Sequence, residues 1–193
     1  MLGEYVGDFY LTGHSKGGNL ALYAGLINTY RVNSIKRIAS FDGMGFPDSY
    51  IDKFRDYKKV INYIPSVSYV GYLFNPVGKV ITVKTKFLNI YTHDIMTWLI
   101  EKNRFKTTLP SKKALVYARH FDNWVEKSNH KEKELGISII KELFLNDEEL
   151  DKINSFSDYL KKVKTKYDKL SAQDKKIIKN IITQIIESKN TSK

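Results

Sequence analysis

The reading of the fold turns on one stretch, Val6-Gly7-Asp8-Phe9-Tyr10-Leu11-Thr12-Gly13-His14-Ser15-Lys16-Gly17-Gly18-Asn19-Leu20-Ala21. Residues 6–12 are short, apolar and aromatic and run up to a glycine, the pattern of a buried strand. Residues 16–27 carry apolar side chains at helical spacing, with Leu20, Ala21, Ala24 and Leu26 on the expected inner face. Between strand and helix lies Gly-x-Ser-x-Gly. A serine hydroxyl is a weak nucleophile unless it is held exposed beside a base, and a sharp strand-to-helix turn provides that exposure. Gly13 and Gly17 flank Ser15 at two residues on either side, where such a strained turn is expected to be crowded. Gly18 is expected to let the helix lie close to the sheet. The backbone N–H of Lys16 opens the helix, where an oxyanion is favoured by both the free amide and the helix dipole. The alternative is a glycine-rich turn that packs Ser15 without chemistry.

Working outward, residues 34–41 read as a second strand, and Asp42-Gly43-Met44-Gly45-Phe46-Pro47 as a glycine-punctuated loop. Residues 49–57 read as a short helix, 60–64 as a third strand ending at Pro65, and 79–84 as a fourth. Residues 94–101, with Trp98, read as the start of a helix. Strands alternating with helices predict a mostly parallel sheet with helices on its faces. After Glu101 the character changes. Residues 111–127, 137–145 and 174–187 show charged, helical periodicity, and 102–110 is the linker candidate. The expected division is an α/β part at 1–101 and a helical extension at 102–193.

A serine nucleophile needs a base and an acid, in the chain order Ser, Asp or Glu, His. Of the four histidines, His14 precedes the serine and is expected to point away as a packing residue. His120 and His130 lie in the helical extension. His93 follows a strand on a presumed loop and is the candidate base; the bland alternative is a polar loop or cap residue. For the acid, Asp42 sits just past the strand that follows the elbow helix, at the carboxyl edge of the sheet, where such sites assemble. Asp followed by Gly is also ordinary turn chemistry. Asp94 adjoins His93 in sequence and is awkwardly placed to orient that ring.

The 193 residues suffice for one domain of ordinary size, or one with an extension. An apolar fraction of 42%, with 13 tyrosines and 10 phenylalanines, excludes a disordered chain. The absence of cysteine excludes disulfides and a thiol nucleophile. No apolar run approaches the roughly 20 residues that span a bilayer. The N-terminus lacks the regions of a signal peptide, so a cytoplasmic location is expected. The formal net charge is +11, but its lysines are mostly interleaved with Glu and Asp, as on solvated helix faces. No specific nucleic-acid partner is expected. Metal-ligand spacings and phosphate-binding loops are absent from the sequence, so neither metal nor cofactor is expected.

Four blocks then line up. GHSKGGNLALYA, SFDGMGF, IPSVSYVGYLF and THDIMTW resemble, in order and spacing, a family of bacterial lipase-like α/β hydrolases of unknown function. That family is related in pattern to the class 3 lipases. The resemblance covers about residues 6–100. It implies an α/β-hydrolase fold and a Ser/Asp/His site, with Ser15 matching the nucleophile, Asp42 the acid of the FDG block, His93 the histidine of the HD block, and Lys16 the oxyanion-hole amide. Two departures stand out. In class 3 lipases the acid follows the next strand, where this chain has Ser66 and Ser68; Asp42 resembles the arrangement of pancreatic-type lipases. Met44 also stands where the family leads one to expect proline. Finally, such a sheet has several strands before its elbow, and only one precedes Ser15 here. The expected architecture is therefore a partial α/β-hydrolase fold, the C-terminal half of the sheet, truncated at its N-terminal side, plus the helical extension. Its open edge is expected to be covered by a dimer, by another chain, by the missing half or by the C-terminal helices.

Two functions follow from this reading. One is a hydrolase of small-molecule or lipid carboxylic esters. The other is a non-catalytic module whose basic helical region, for instance 161–169 and 175–179, binds an acidic partner or makes peripheral contact with an anionic membrane.

Overall fold

Strand β1 (Phe9–His14) runs directly through Ser15 into helix α1 (Lys16–Ile27). Then follow β2 (Ile35–Phe41), a one-turn helix α2 (Asp48–Ile51), β3 (Val60–Pro65) and β4 (Lys79–Val83). A computed structural model supplies these elements and describes residues 7–27, 34–51, 57–88, 90–135, 138 and 164–187. Val6 of the expected first strand, residues 52–56 of the expected helix at 49–57, and the expected helix at 137–145 apart from residue 138 lie outside the described residues. The four strands form one sheet in the order β1-β2-β3-β4, and every neighbouring pair is parallel. With helices beside the sheet and further helices toward the C-terminus, the architecture is that of a partial α/β fold. β1 is an edge strand of the described sheet.

Burial alternates along β1 and most of β3 and separates the two faces. On one face Ile35, Ile38 and Val60 pack with Leu22 and Leu26 of α1 and with Phe46 and Val77, all at most 6% exposed. Each such aliphatic side chain contributes about 1.5–3 kcal/mol on burial. The inner stripe of α1 is Gly18, Leu22 and Leu26, at a spacing of four. Leu20, expected inside, is 54% exposed. Leu26 is inside as expected and Ala21 packs partly against the core; Leu20 falls off the stripe because that stripe runs through Gly18 and Leu22.

The other face carries a cross-strand row, His14, Phe41, Tyr63 and Ile81, in direct register. Phe41 and Tyr63 stack at 5.2 Å. A small antiparallel hairpin, β5 (Ile100–Glu101) and β6 (Arg104–Phe105), closes over this row. Phe105 meets Tyr63 at 5.4 Å and Trp98 at 5.3 Å.

This region departs from the sequence reading. Residues 94–101 do not continue as a helix. A single 3-10 turn, Ile95–Thr97, gives way to extended backbone at Trp98. The buried Trp98 indole N–H donates to Thr92 O, and Trp98 bridges Thr85. Aromatic burial and strand pairing outweigh the local helical tendency here. The expected linker at 102–110 instead holds the turn and second strand of the hairpin, and the residues after it bond to β4 and its continuation through Thr108 N to Thr82 O and Lys84 N to Lys106 O. Helix α3 (Lys112–Lys127) follows, with Ser111 N donating to Ser66 O.

The chain divides into two compact units, Met1–Arg119 and His120–Lys193. Trp124, 3% exposed, anchors the α3 portion of the second unit, with Phe121 at 5.6 Å. Asn129 and Glu132 cap the next helical segment reciprocally. Ser171 caps helix α4 (Ala172–Glu187) by accepting from Asp174 N. Among the described residues no helix is long and apolar enough to cross a membrane.

Candidate active site

The parallel sheet brings the carboxyl ends of β1 and β2 side by side, with His14 opposite Phe41. The next residue on each strand, Ser15 and Asp42, turns the chain. Both do so with left-handed backbone, φ 55° and 49°. That conformation costs a non-glycine residue about 1–3 kcal/mol, less for an aspartate that bonds locally. Ser15 is held by its amide, which donates to Phe41 O at 2.9 Å. Its carbonyl accepts from Gly18 N and Asn19 N, the first closed bonds of α1. The amides ahead of them at the start of α1 have no intrahelical acceptor. Lys16 is the first of these.

Asp42 is 1% exposed. Its Oδ1 accepts from Ser68 Oγ at 2.5 Å and from Gly71 N at 3.1 Å. Its Oδ2 lies 2.7 Å from His93 Nδ1. A buried carboxylate with three donors is compensated for the water it has lost. His93 ends a 3-10 turn, Ile90–His93. With Nδ1–H donated to Asp42, Nε2 of the neutral ring is left as a proton acceptor. The ring is 35% exposed, so that nitrogen can be reached. Among the described residues no hydrogen bond joins Ser15 Oγ to the His93 ring. Unliganded sites commonly hold such groups apart until substrate enters.

The model of the Mbeg1-like family matches residues 1–144. The chain belongs to the Mbeg1-like family. This is a lipase-like family, and at that level the expected resemblance is met. Comparison with curated proteins and with solved structures gave no match.

In this Mbeg1-like chain the glycines around Ser15 act unequally. A Cβ on Gly13 would lie 2.2 Å from Gly17 O, far inside van der Waals contact. On Gly18 it would meet Ser40 Oγ at 2.6 Å and Gly13 O at 3.0 Å, where α1 crosses the sheet. On Gly17 it would meet nothing within 4 Å. The crowding expected at Gly17 is therefore not found, because its Cβ direction leaves the turn toward open space.

His14 was expected to point away and does not. It is the last residue of β1, on the face over which the His93 turn folds. Its Nε2 lies 2.7 Å from His93 O, and the two rings are 4.5 Å apart. Ser68 was legible only as the residue standing where an acid was sought; its contact with Asp42 had no sequence signal. In the stretch 69–74, Tyr72 and Leu73 enter the core. An open cavity of about 410 Å³ lies instead at the hairpin, lined by Tyr63, Ile81, Ile100, Asn103, Arg104 and Phe105. Two of these, Tyr63 and Ile81, continue the row that begins at His14. Among the described residues no group of three or more His, Asp or Glu side chains is arranged to hold a metal ion.

Proposed function

We propose that this chain is a serine hydrolase of carboxylic esters, with Ser15 as nucleophile, His93 as general base and Asp42 as the acid that orients it. The observation that carries the proposal is the 2.7 Å bond between His93 Nδ1 and a fully buried Asp42. It lies at the carboxyl edge of a parallel sheet, beside a serine on a left-handed strand-to-helix turn. A packing histidine has no need of a buried carboxylate with two further donors. Membership of a lipase-like family supports the same reading.

The chemistry follows from the donor pattern. Substrate entry brings His93 Nε2 to the Ser15 hydroxyl; Nε2 takes the hydroxyl proton as the oxygen attacks the ester carbonyl carbon. The tetrahedral oxyanion is stabilised by the Lys16 amide at the start of α1. On collapse, the proton on Nε2 passes to the departing alkoxide, leaving an acyl-serine. Water, deprotonated by the same nitrogen, then attacks the acyl carbon; the acyl–Oγ bond breaks, Nε2 returns the proton to Ser15 Oγ, and the acid is released. The apolar row Phe41, Tyr63 and Ile81, leading to the hairpin cavity, offers an acyl group an apolar wall.

The test is labelling of the natural full-length protein with a fluorophosphonate, together with hydrolysis of short and long p-nitrophenyl esters. Wild-type protein is expected to label, and Ser15→Ala to abolish it. Asp42→Asn is expected to slow labelling by about three to four orders of magnitude, through loss of ring orientation. Absence of Ser15-dependent labelling, or full activity in Asp42→Asn, overturns the assignment.

A further inference from the structure

His93 is gripped at two places. Its ring is held from β2, through Asp42. Its main-chain carbonyl is held from β1, through His14 Nε2 at 2.7 Å. A carbonyl can only accept, so His14 carries its proton on Nε2 when it makes this bond. The His14 and His93 rings lie 4.5 Å apart and tilted by 38°, within the range of attractive ring packing. His14 is also covalently joined to Ser15. One side chain therefore ties the turn bearing the base to the residue next to the nucleophile.

The turn that bears His93 is built from short elements. Residues 90–97 are two successive 3-10 turns, whose bonds are local and whose geometry is less rigid than an α-helix. Thr92 Oγ1 donates to Val67 O, and Trp98 holds Thr92 O. Those contacts fix the turn to the β3 side and the core. Among the described residues, the bond from His14 is the one that joins the His93 main chain to the nucleophile's own strand.

We infer that His14 is a positioning residue, which sets the distance and angle between the His93 imidazole and Ser15 by holding the His93 carbonyl. The inference rests on the triad reading above for its catalytic consequence, but its structural content stands apart from it. It also gives the residue before the serine a role other than packing. A misplacement of about 1 Å at a reacting centre can cost roughly a hundredfold in rate, so the tie is expected to matter to the chemistry more than to the fold.

Two substitutions separate the hydrogen bond from the ring contact. His14→Gln keeps an N–H donor at a similar reach and loses the ring. His14→Phe keeps a ring and loses the donor. Each is measured twice in the full-length protein: by the second-order rate constant of Ser15 labelling, and by NMR of the His93 ring nitrogens and the Nδ1 proton. His14→Phe is expected to slow labelling by about ten- to a hundredfold and to broaden or shift the His93 Nδ1–H signal, while His14→Gln restores most of both. If the His93 signal in His14→Phe matches wild type, the inference falls, whatever the labelling shows. If wild type does not label at all, yet the His93 signal responds to Phe and recovers with Gln, the hydrolase reading fails while the positioning of His93 by His14 stands.

Discussion

The Asp42 carboxylate, itself buried, accepts hydrogen bonds from a hydroxyl, a main-chain amide and an imidazole. Each donor does a different job. His93 uses the bond, whereas Ser68 and Gly71 sustain it by satisfying the other oxygen. Ser68 Oγ also accepts from Gly71 N at 2.7 Å and Val70 N at 3.0 Å, so it closes the turn after β3 around the carboxylate. Removing that hydroxyl takes one of two donors from Asp42 Oδ1 and the acceptor from the Val70 amide, while Gly71 N keeps Asp42 Oδ1. Ser68→Ala is therefore expected to lower stability by about 1–3 kcal/mol, read as a fall in the urea midpoint with an unchanged slope. A midpoint equal to wild type would mean that water replaces the hydroxyl and that the Asp42 cradle is not sustained by Ser68.

At the scale of elements, the elbow joins β1 to α1 by close approach of backbone to backbone, and the glycines report where that approach is tightest. Gly18→Ala forces a methyl against Ser40 and the Gly13 carbonyl and is expected to cost about 1–3 kcal/mol by overpacking. Gly17→Ala adds a methyl to open space in a helix and is expected to stabilise by about 0.4–1 kcal/mol. Thermal melts of the two variants should move in opposite directions; equal shifts would contradict the close crossing at Gly18. The same contrast marks how far the sequence could be read. The bounds of α1 and the run of β1 to β4 were legible because their period and glycine punctuation are local. Asp42 and His93 could be nominated by chain order, since a parallel sheet delivers successive strand ends to one edge. The hairpin was not legible. Its turn, Lys102-Asn103, has φ of 49° and 59°, the mirror-image geometry usually signalled by Asn-Gly or Asp-Gly, and lysine gives no such signal. The contacts of His14 and Ser68 were hidden for another reason: they depend on which face of a strand a loop folds over, and no local pattern encodes that.

For the whole molecule, charge and burial respond to alkaline pH in opposite senses. The formal net charge is +11, so loss of lysine protons relieves self-repulsion and favours the folded state. Tyr72 works against this. It is 8% exposed, and burial pushes its hydroxyl above the ordinary tyrosine value; the hydrogen bond with Thr82 opposes the shift, and the Asp42 carboxylate adds to it. A group that holds its proton more tightly when folded contributes stability that is whole below its unfolded pKa of about 10. That contribution is lost as pH rises through the higher folded value. Tyr72→Phe removes the titration while leaving the lysines untouched, so the difference between the two proteins isolates it. Urea unfolding from pH 8 to 11.5 is expected to give a constant difference up to about pH 10. Above that, wild type should lose ground to Tyr72→Phe with each step. A difference that stays flat across the whole range would mean that the Tyr72 hydroxyl ionises as readily in the folded chain as in the unfolded one.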